Sequence, residues 1–368
     1  MIENSILKNE EKAVFKLRSL YRKYGYLPFK MSKFEEYDLY VRNKDFLISD
    51  RVITFNDTNG KLLALKPDVT LSIIKNGEDE TGVKQKVYYN ENVYRVSGST
   101  HQYKEIMQTG LECIGDIDIY DIFESVLLAA KSLSLISDEF VLDLSHLGIL
   151  SALLDEISTD KSFRKEIASL IAEKNMHDTV RLCKEYGVSE EKTQTLCELV
   201  AIRGDMESVI CALEDVCEGD NAKKALNDLK IIKDLLEKTE FYDKIRFDFS
   251  IVNDMNYYNG IVFKGFLSGI CEGVLSGGQY DKLMRRMGRS SGAVGFAIYL
   301  DLLETLEGES SPYDVDTLII YDDQNDVSYI GEISDRLIKE GKSISVQKAI
   351  PEKLRYREMI DLRGGREK

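Results

Sequence analysis

Leu65-Lys66-Pro67-Asp68-Val69-Thr70 sets a carboxylate and a hydroxyl two residues apart behind a proline. That pair is what a buried ammonium needs, because an unpaired buried charge is costly and charge-assisted hydrogen bonds offset the cost. The same residues also describe a helix start, with Asp68 or Thr70 capping 70–76. Taken alone, the six residues favour the cap. A second block runs from Val87-Tyr88-Tyr89 to Arg95 and continues at Gln108-Thr109-Gly110-Leu111-Glu112. It offers a guanidinium, an amide and a second carboxylate, and Glu112 reads either as a pocket acid or as a surface strand residue. A third block, Asn253-Asp254-Met255-Asn256-Tyr257-Tyr258-Asn259-Gly260-Ile261-Val262-Phe263, carries an aromatic pair on an expected strand. Such a pair usually packs a core.

Other chemistries find little support. The cysteines, Cys113, Cys183, Cys197, Cys211, Cys217 and Cys271, form no C-x-x-C, and no histidine stands at metal-ligand spacing from one. They read as buried thiols of a reducing compartment. His101, His146 and His177 are scattered. With no P-loop and no G-x-G-x-x-G, neither a metal nor a cofactor is expected.

The elements that must position these groups follow from periodicity. Residues 8–24 read as an amphipathic helix on Val14, Leu17, Leu20 and Tyr21, stopped by Gly25 and Pro28. Segments 51–56, 61–66 and 86–94 read as strands, with Asp57-Thr58-Asn59-Gly60 as a hairpin turn between the first two. Residues 118–135 read as a long helix, and 146–240 as an almost wholly helical insertion. Within it Ala222, Leu226, Leu229, Ile232 and Leu236 mark one face. Strand patterns return at 246–252 and 257–266, and 293–306 reads as strand into helix. Gly277-Gly278 suggests close backbone approach. Residues 307–312 form a linker, and strand 315–321, helix 327–340 and strand 343–348 make a single βαβ-like unit.

The 368 residues suffice for two or three domains, and 43% hydrophobic content suits a globular core. The net charge of −15 argues against a large nucleic-acid footprint. The densest basic cluster, Arg285-Arg286-Met287-Gly288-Arg289, reads as a solvated loop. No apolar run approaches the ~20 residues that span a bilayer, and Met1-Ile2-Glu3-Asn4 lacks a signal-peptide pattern. A cytoplasmic protein without a membrane partner is expected.

Across about residues 8–306 the blocks resemble the histidyl-tRNA synthetase family. Residues 65–70 resemble its L-R-P-E-G-T, and the second block resembles class II motif 2 followed by Q-x-G-x-E. Residues 253–263 resemble R-G-L-D-Y-Y-T-G-x-V-F. Gly277-Gly278-Gln279-Tyr280-Asp281 and Gly295-Phe296-Ala297-Ile298-Tyr299-Leu300-Asp301-Leu302 resemble G-G-R-Y-D and G-F-x-x-G-L-E-R. The resemblance implies an α+β fold, a mainly antiparallel class II sheet with flanking helices. It places the domain at 1–306, with 146–240 inserted and a short segment at 312–368. It also implies a histidine-like pocket. There Asp68 and Thr70 would hold the amino group, and Arg95 the carboxylate. Gln108 and Glu112 would face the amino group and imidazole, and Tyr257 and Tyr258 would complete the wall.

Four positions depart from the family by losing charge: Ser97, Asn253, Gln279 and Leu302. A synthetase holds polyphosphate and carboxylate with guanidinium forks. The losses point to the family's silent branch, the regulatory subunits of ATP phosphoribosyltransferase. That branch implies no catalytic residue of its own and a short-form catalytic subunit as partner. It also implies self-association as a dimer, histidine as ligand and no tRNA. A diverged synthetase and a stand-alone histidine-binding protein are the alternatives.

Overall fold

The first helix, Asn9–Lys23, buries Ala13, Val14, Leu17 and Tyr21 on one stripe, with Leu20 half-buried beside them. Gly25, at φ +81°, turns the chain out of it, a conformation that a side chain would oppose. The computed structural model describes residues 7–44, 47, 52–77, 82–96, 101–252, 257–305 and 312–365, so Ser97 and Asn253 lie outside the described residues. Two units are distinguished, Met1–Leu306 and Glu307–Lys368.

In the first unit the strands are β1 (Leu27–Pro28), β2 (Phe34–Glu36), β3 (Thr54–Asn56), β4 (Leu62–Leu65), β5 (Gln85–Val96), β6 (Tyr103–Gly115), β7 (Phe140–His146), β8 (Arg203–Gly204), β9 (Ile245–Asp248), β10 (Ile261–Leu267), β11 (Leu275–Gln279) and β12 (Gly292–Tyr299). Nine of them form one sheet in the order β1-β5-β6-β12-β11-β10-β7-β9-β8. Its pairings are antiparallel except β1 with β5 and β7 with β9. The fold is thus α+β with a mainly antiparallel sheet. A small sheet, β2-β4-β3, lies beside it. Its β3–β4 turn is built as the sequence suggests: Asp57 Oδ1 accepts from the amides of Asn59 and Lys61, each at 2.8 Å.

Helix Ile119–Ile136 packs with the first helix against the sheet, where Tyr21 and Ser132 share a hydroxyl hydrogen bond of 3.1 Å. Helices fill 147–236, apart from β8, which pairs with β9 and forms an edge of the main sheet. Helix Asp220–Leu236 buries the expected Ala222, Leu226, Leu229, Ile232 and Leu236.

Several expectations need correction. The strand expected over 246–252 ends at Asp248, whose Oδ1 accepts from the Ser250 amide at 2.8 Å and turns the chain. The strand expected from 257 begins at Ile261, so Tyr257 and Tyr258 precede it. Arg289 is not a solvated loop residue, because its guanidinium donates to the carbonyls of Ile74 and Gly77. Cys211 and Cys271 are exposed and Cys197 is half-buried, unlike Cys113, Cys183 and Cys217.

The second unit has three strands where two were expected. Its β13 (Val315–Ile320) lies between β14 (Ile344–Gln347) and β15 (Tyr356–Asp361), all parallel. Helix Val327–Lys339 covers Ile319 with Ile330, Ile333 and Leu337. β15 is an edge strand whose charged residues, Arg357, Glu358 and Asp361, hide the strand pattern.

Candidate functional site

β6 carries Gln108, Gly110 and Glu112 at alternate positions, so all three face one side of the sheet. On that side β11 and β12 place glycines next to Glu112, which lets its carboxylate and the Tyr258 ring lie close against the sheet. Glu112 pairs in register with Gly295, and Gly295 with Gly278. A Cβ on Gly278 would meet the Ile261 carbonyl oxygen at 2.7 Å and the Tyr258 ring at 2.8 Å.

The adjoining cavity has a volume of about 360 Å³. Asp68, Thr70, Arg95, Gln108, Glu112, Tyr257 and Tyr258 all line it. Four polar lining residues were not singled out from the sequence: Tyr89, Ser276, Tyr280 and Tyr299. Tyr280 lies within the Gly-Gly-Gln-Tyr-Asp block, but nothing in that block says where its hydroxyl goes.

Glu112 is the centre of the site. It is 2% exposed, which removes the surface-strand reading. The Tyr280 hydroxyl donates to its Oε2 at 2.6 Å, and the Thr70 hydroxyl to its Oε1 at 3.0 Å. Burial nevertheless pushes the carboxyl up to about 8, against the lowering effect of those two donors and with a contribution from the charge of Asp68. Asp68 is also raised, mainly by burial, and partly held down by the Leu71 amide and by Arg95. Its Oδ1 accepts from Leu71 N at 2.9 Å. Asp68 therefore braces the start of helix Thr70–Asn76 and lines the cavity at once.

Arg95 is oriented by a distant backbone group, its Nε donating to the Pro67 carbonyl at 3.0 Å. It is the one cation among the described lining residues. The Tyr257 ring lies between those of Tyr258 and Tyr280, with ring centroids 4.6 and 5.7 Å away and interplanar angles of 52° and 51°. Behind the cavity, Lys66 is fully buried and paired with Glu91 at 2.9 Å. The site thus offers two acids, one guanidinium and several hydroxyls around a volume suited to a small zwitterion.

The two described departing positions, Gln279 and Leu302, lie elsewhere. Gln279 points away from the cavity, its Nε2 donating to Asp281 Oδ2 at 2.7 Å within a polar cleft. Leu302 packs half-buried against the main core. No group of histidine, cysteine or acidic side chains among the described residues could hold a metal, and no described helix is long and apolar enough to cross a membrane.

Residues 4–303 match the family model for histidyl-tRNA synthetase. An ATP phosphoribosyltransferase regulatory subunit of Bacillus cereus is 26% identical over 340 residues, which are 90% of this chain and 80% of that protein. The protein of the same name from Oceanobacillus iheyensis is 28% identical over 286 residues, 77% of this chain and 70% of its own. Among solved structures, an ATP phosphoribosyltransferase regulatory subunit/histidyl-tRNA synthetase of Bacillus halodurans superposes with a TM-score of 0.75 at 22% identity. That match covers 99% of this chain and 97% of the other. A chain of the ATP phosphoribosyl transferase (HisG:HisZ) complex of Thermotoga maritima gives 0.63 at 21% identity, covering 83% and 100%. At these identities the structures speak to the fold.

Proposed function

We propose that the chain, which belongs to the histidyl-tRNA synthetase family, is a non-catalytic regulatory subunit of ATP phosphoribosyltransferase. In this role it supports a short catalytic subunit in the first step of histidine biosynthesis and conveys feedback inhibition by histidine. Its setting is the cytoplasm, it self-associates as a dimer, and it does not act on tRNA. The observation that carries the reading is a retained small-molecule cavity with Arg95 as the one cation among its described lining residues. Nucleotide triphosphate chemistry relies on several guanidinium or ammonium groups acting together, whereas a zwitterion needs one cation and one anion. The names of the relatives favour the regulatory role over a stand-alone binding protein.

Histidine suits the polar pattern. Its carboxylate would meet Arg95, its ammonium the Asp68 and Thr70 end, and its imidazole Glu112 and Tyr258. A carboxyl that titrates near 8 can give its proton to an imidazole nitrogen or, once ionised, accept an imidazole N–H. Ligand binding can alter a partner only by favouring one of its states, with coupling of about 1–3 kcal/mol, or roughly 5- to 150-fold in affinity.

The decisive experiment measures ATP phosphoribosyltransferase activity of a short catalytic subunit alone, with this chain, and with histidine added. The chain should raise activity and histidine should lower it. No effect of the chain on either rate or inhibition would remove the regulatory role.

A further inference from the structure

Glu112 receives its two hydrogen bonds from two different elements. Thr70 is the first residue of helix Thr70–Asn76, and Tyr280 immediately precedes helix Asp281–Arg286. Both short helices bury residues in the same apolar cluster, Ile73 and Ile74 from the first and Leu283 and Met284 from the second. At their far ends a single side chain joins them. The Arg289 guanidinium donates from Nη2 to the Ile74 carbonyl at 2.9 Å and to the Gly77 carbonyl, both at the C-terminus of the first helix. Its own amide donates to the Met284 carbonyl at 2.9 Å in the second. Gly288, at φ +77°, makes the turn that brings Arg289 back.

We infer that Arg289 is a positioning residue for the ligand cavity: it fixes the spacing of the two helices whose first turns deliver the Thr70 and Tyr280 hydroxyls to Glu112. The physical reasons are two. A guanidinium on two C-terminal carbonyls strengthens a last turn that otherwise closes with a single 3.3 Å bond from the Gly77 amide to the Ile74 carbonyl, and it complements the negative end of the helix dipole. A seven-residue helix is too short to hold itself, so its register against its neighbour depends on such ties. Arg289 is not among the residues that line the cavity, and its effect passes through Thr70 and Tyr280.

This inference rests on the cavity assigned above but not on the identity of its ligand. The test follows the titration of Glu112 in ligand-free protein by 13C NMR of labelled glutamate, with Glu112→Gln identifying the resonance. Besides Thr70 and Tyr280, the groups facing Glu112 are Asp68, Tyr89, Tyr257 and Tyr258, and these are unchanged in the variants. Arg289→Met should raise the midpoint by about 0.5 pH unit or more, a factor of roughly 3 in proton affinity, because both donors that favour the ionised form move away. Arg289→Lys should recover part of the shift. A folded Arg289→Met with the wild-type midpoint overturns the inference. Should that variant not fold, Arg289→Gln and Arg289→Lys decide, and wild-type midpoints in both overturn it. Calorimetry with histidine runs alongside: a wild-type protein that does not bind sinks the proposed ligand, while the titration still judges Arg289.

Discussion

Glu112 on β6 stands directly across from Gly295 on β12, and the carboxylate occupies the space where a side chain at 295 would begin. A Cβ there would overlap Glu112 Oε2 and the Leu111 carbonyl oxygen. Backbone cannot yield as a flexible side chain can. Gly295→Ala should therefore displace Glu112, with destabilisation of about 1–3 kcal/mol typical of overpacking. Urea denaturation measures the loss, and calorimetry should show histidine affinity falling with it. An alanine variant with wild-type stability and affinity would contradict this packing.

Stability should fall with rising pH through Glu112. Its folded-state carboxyl titrates near 8 against an ordinary value of 4.5, so the native state holds the proton more tightly than the unfolded chain. The corresponding stability is complete below about 4.5 and is lost as pH rises through 8. Glu112→Gln has no proton to lose there. Urea midpoints of wild type and variant, compared at pH 5 and pH 8.5, should shift in the variant's favour at the higher pH. A constant difference would mean that Glu112 titrates normally.

Lys66 and Glu91 form a pair in which the lysine is fully buried. Lys66→Met should cost roughly 3–5 kcal/mol by leaving Glu91 without its partner in a partly buried place. Replacing both with methionine should restore most of that stability. Denaturant curves of the two single variants and the double variant give the coupling directly, and additive effects would contradict the pairing.

Purified protein with histidine, ATP and Mg²⁺ should show no ATP–pyrophosphate exchange. Gln279→Arg and Leu302→Arg should not create it, because Gln279 turns toward Asp281 and Leu302 packs against the core, both away from the cavity. A measurable exchange rate in the wild type, abolished by Arg95→Ala, would make the chain a synthetase.

The sequence by itself determined much of the framework. Helical spacing of Val14, Leu17 and Tyr21, the Asp57–Gly60 turn, and the apolar face of 222–236 are local patterns, and local patterns survive in one dimension. The strand β6 itself was not among the strands read from the sequence; once it is formed, the side-chain period of two puts Gln108 and Glu112 on one side of it. The tertiary structure decided what those residues become. Glu112 meets a tyrosine 168 positions away, and burial in the folded chain raises its carboxyl although that tyrosine's hydrogen bond lowers it. Tyr280 read as part of a glycine motif and Arg289 as part of a solvated loop, because a side chain's partner depends on which backbones close around it. The edge strand β15 was hidden for a related reason: its exposed residues are free to be charged, and its pairing comes from backbone hydrogen bonds that no side-chain pattern records.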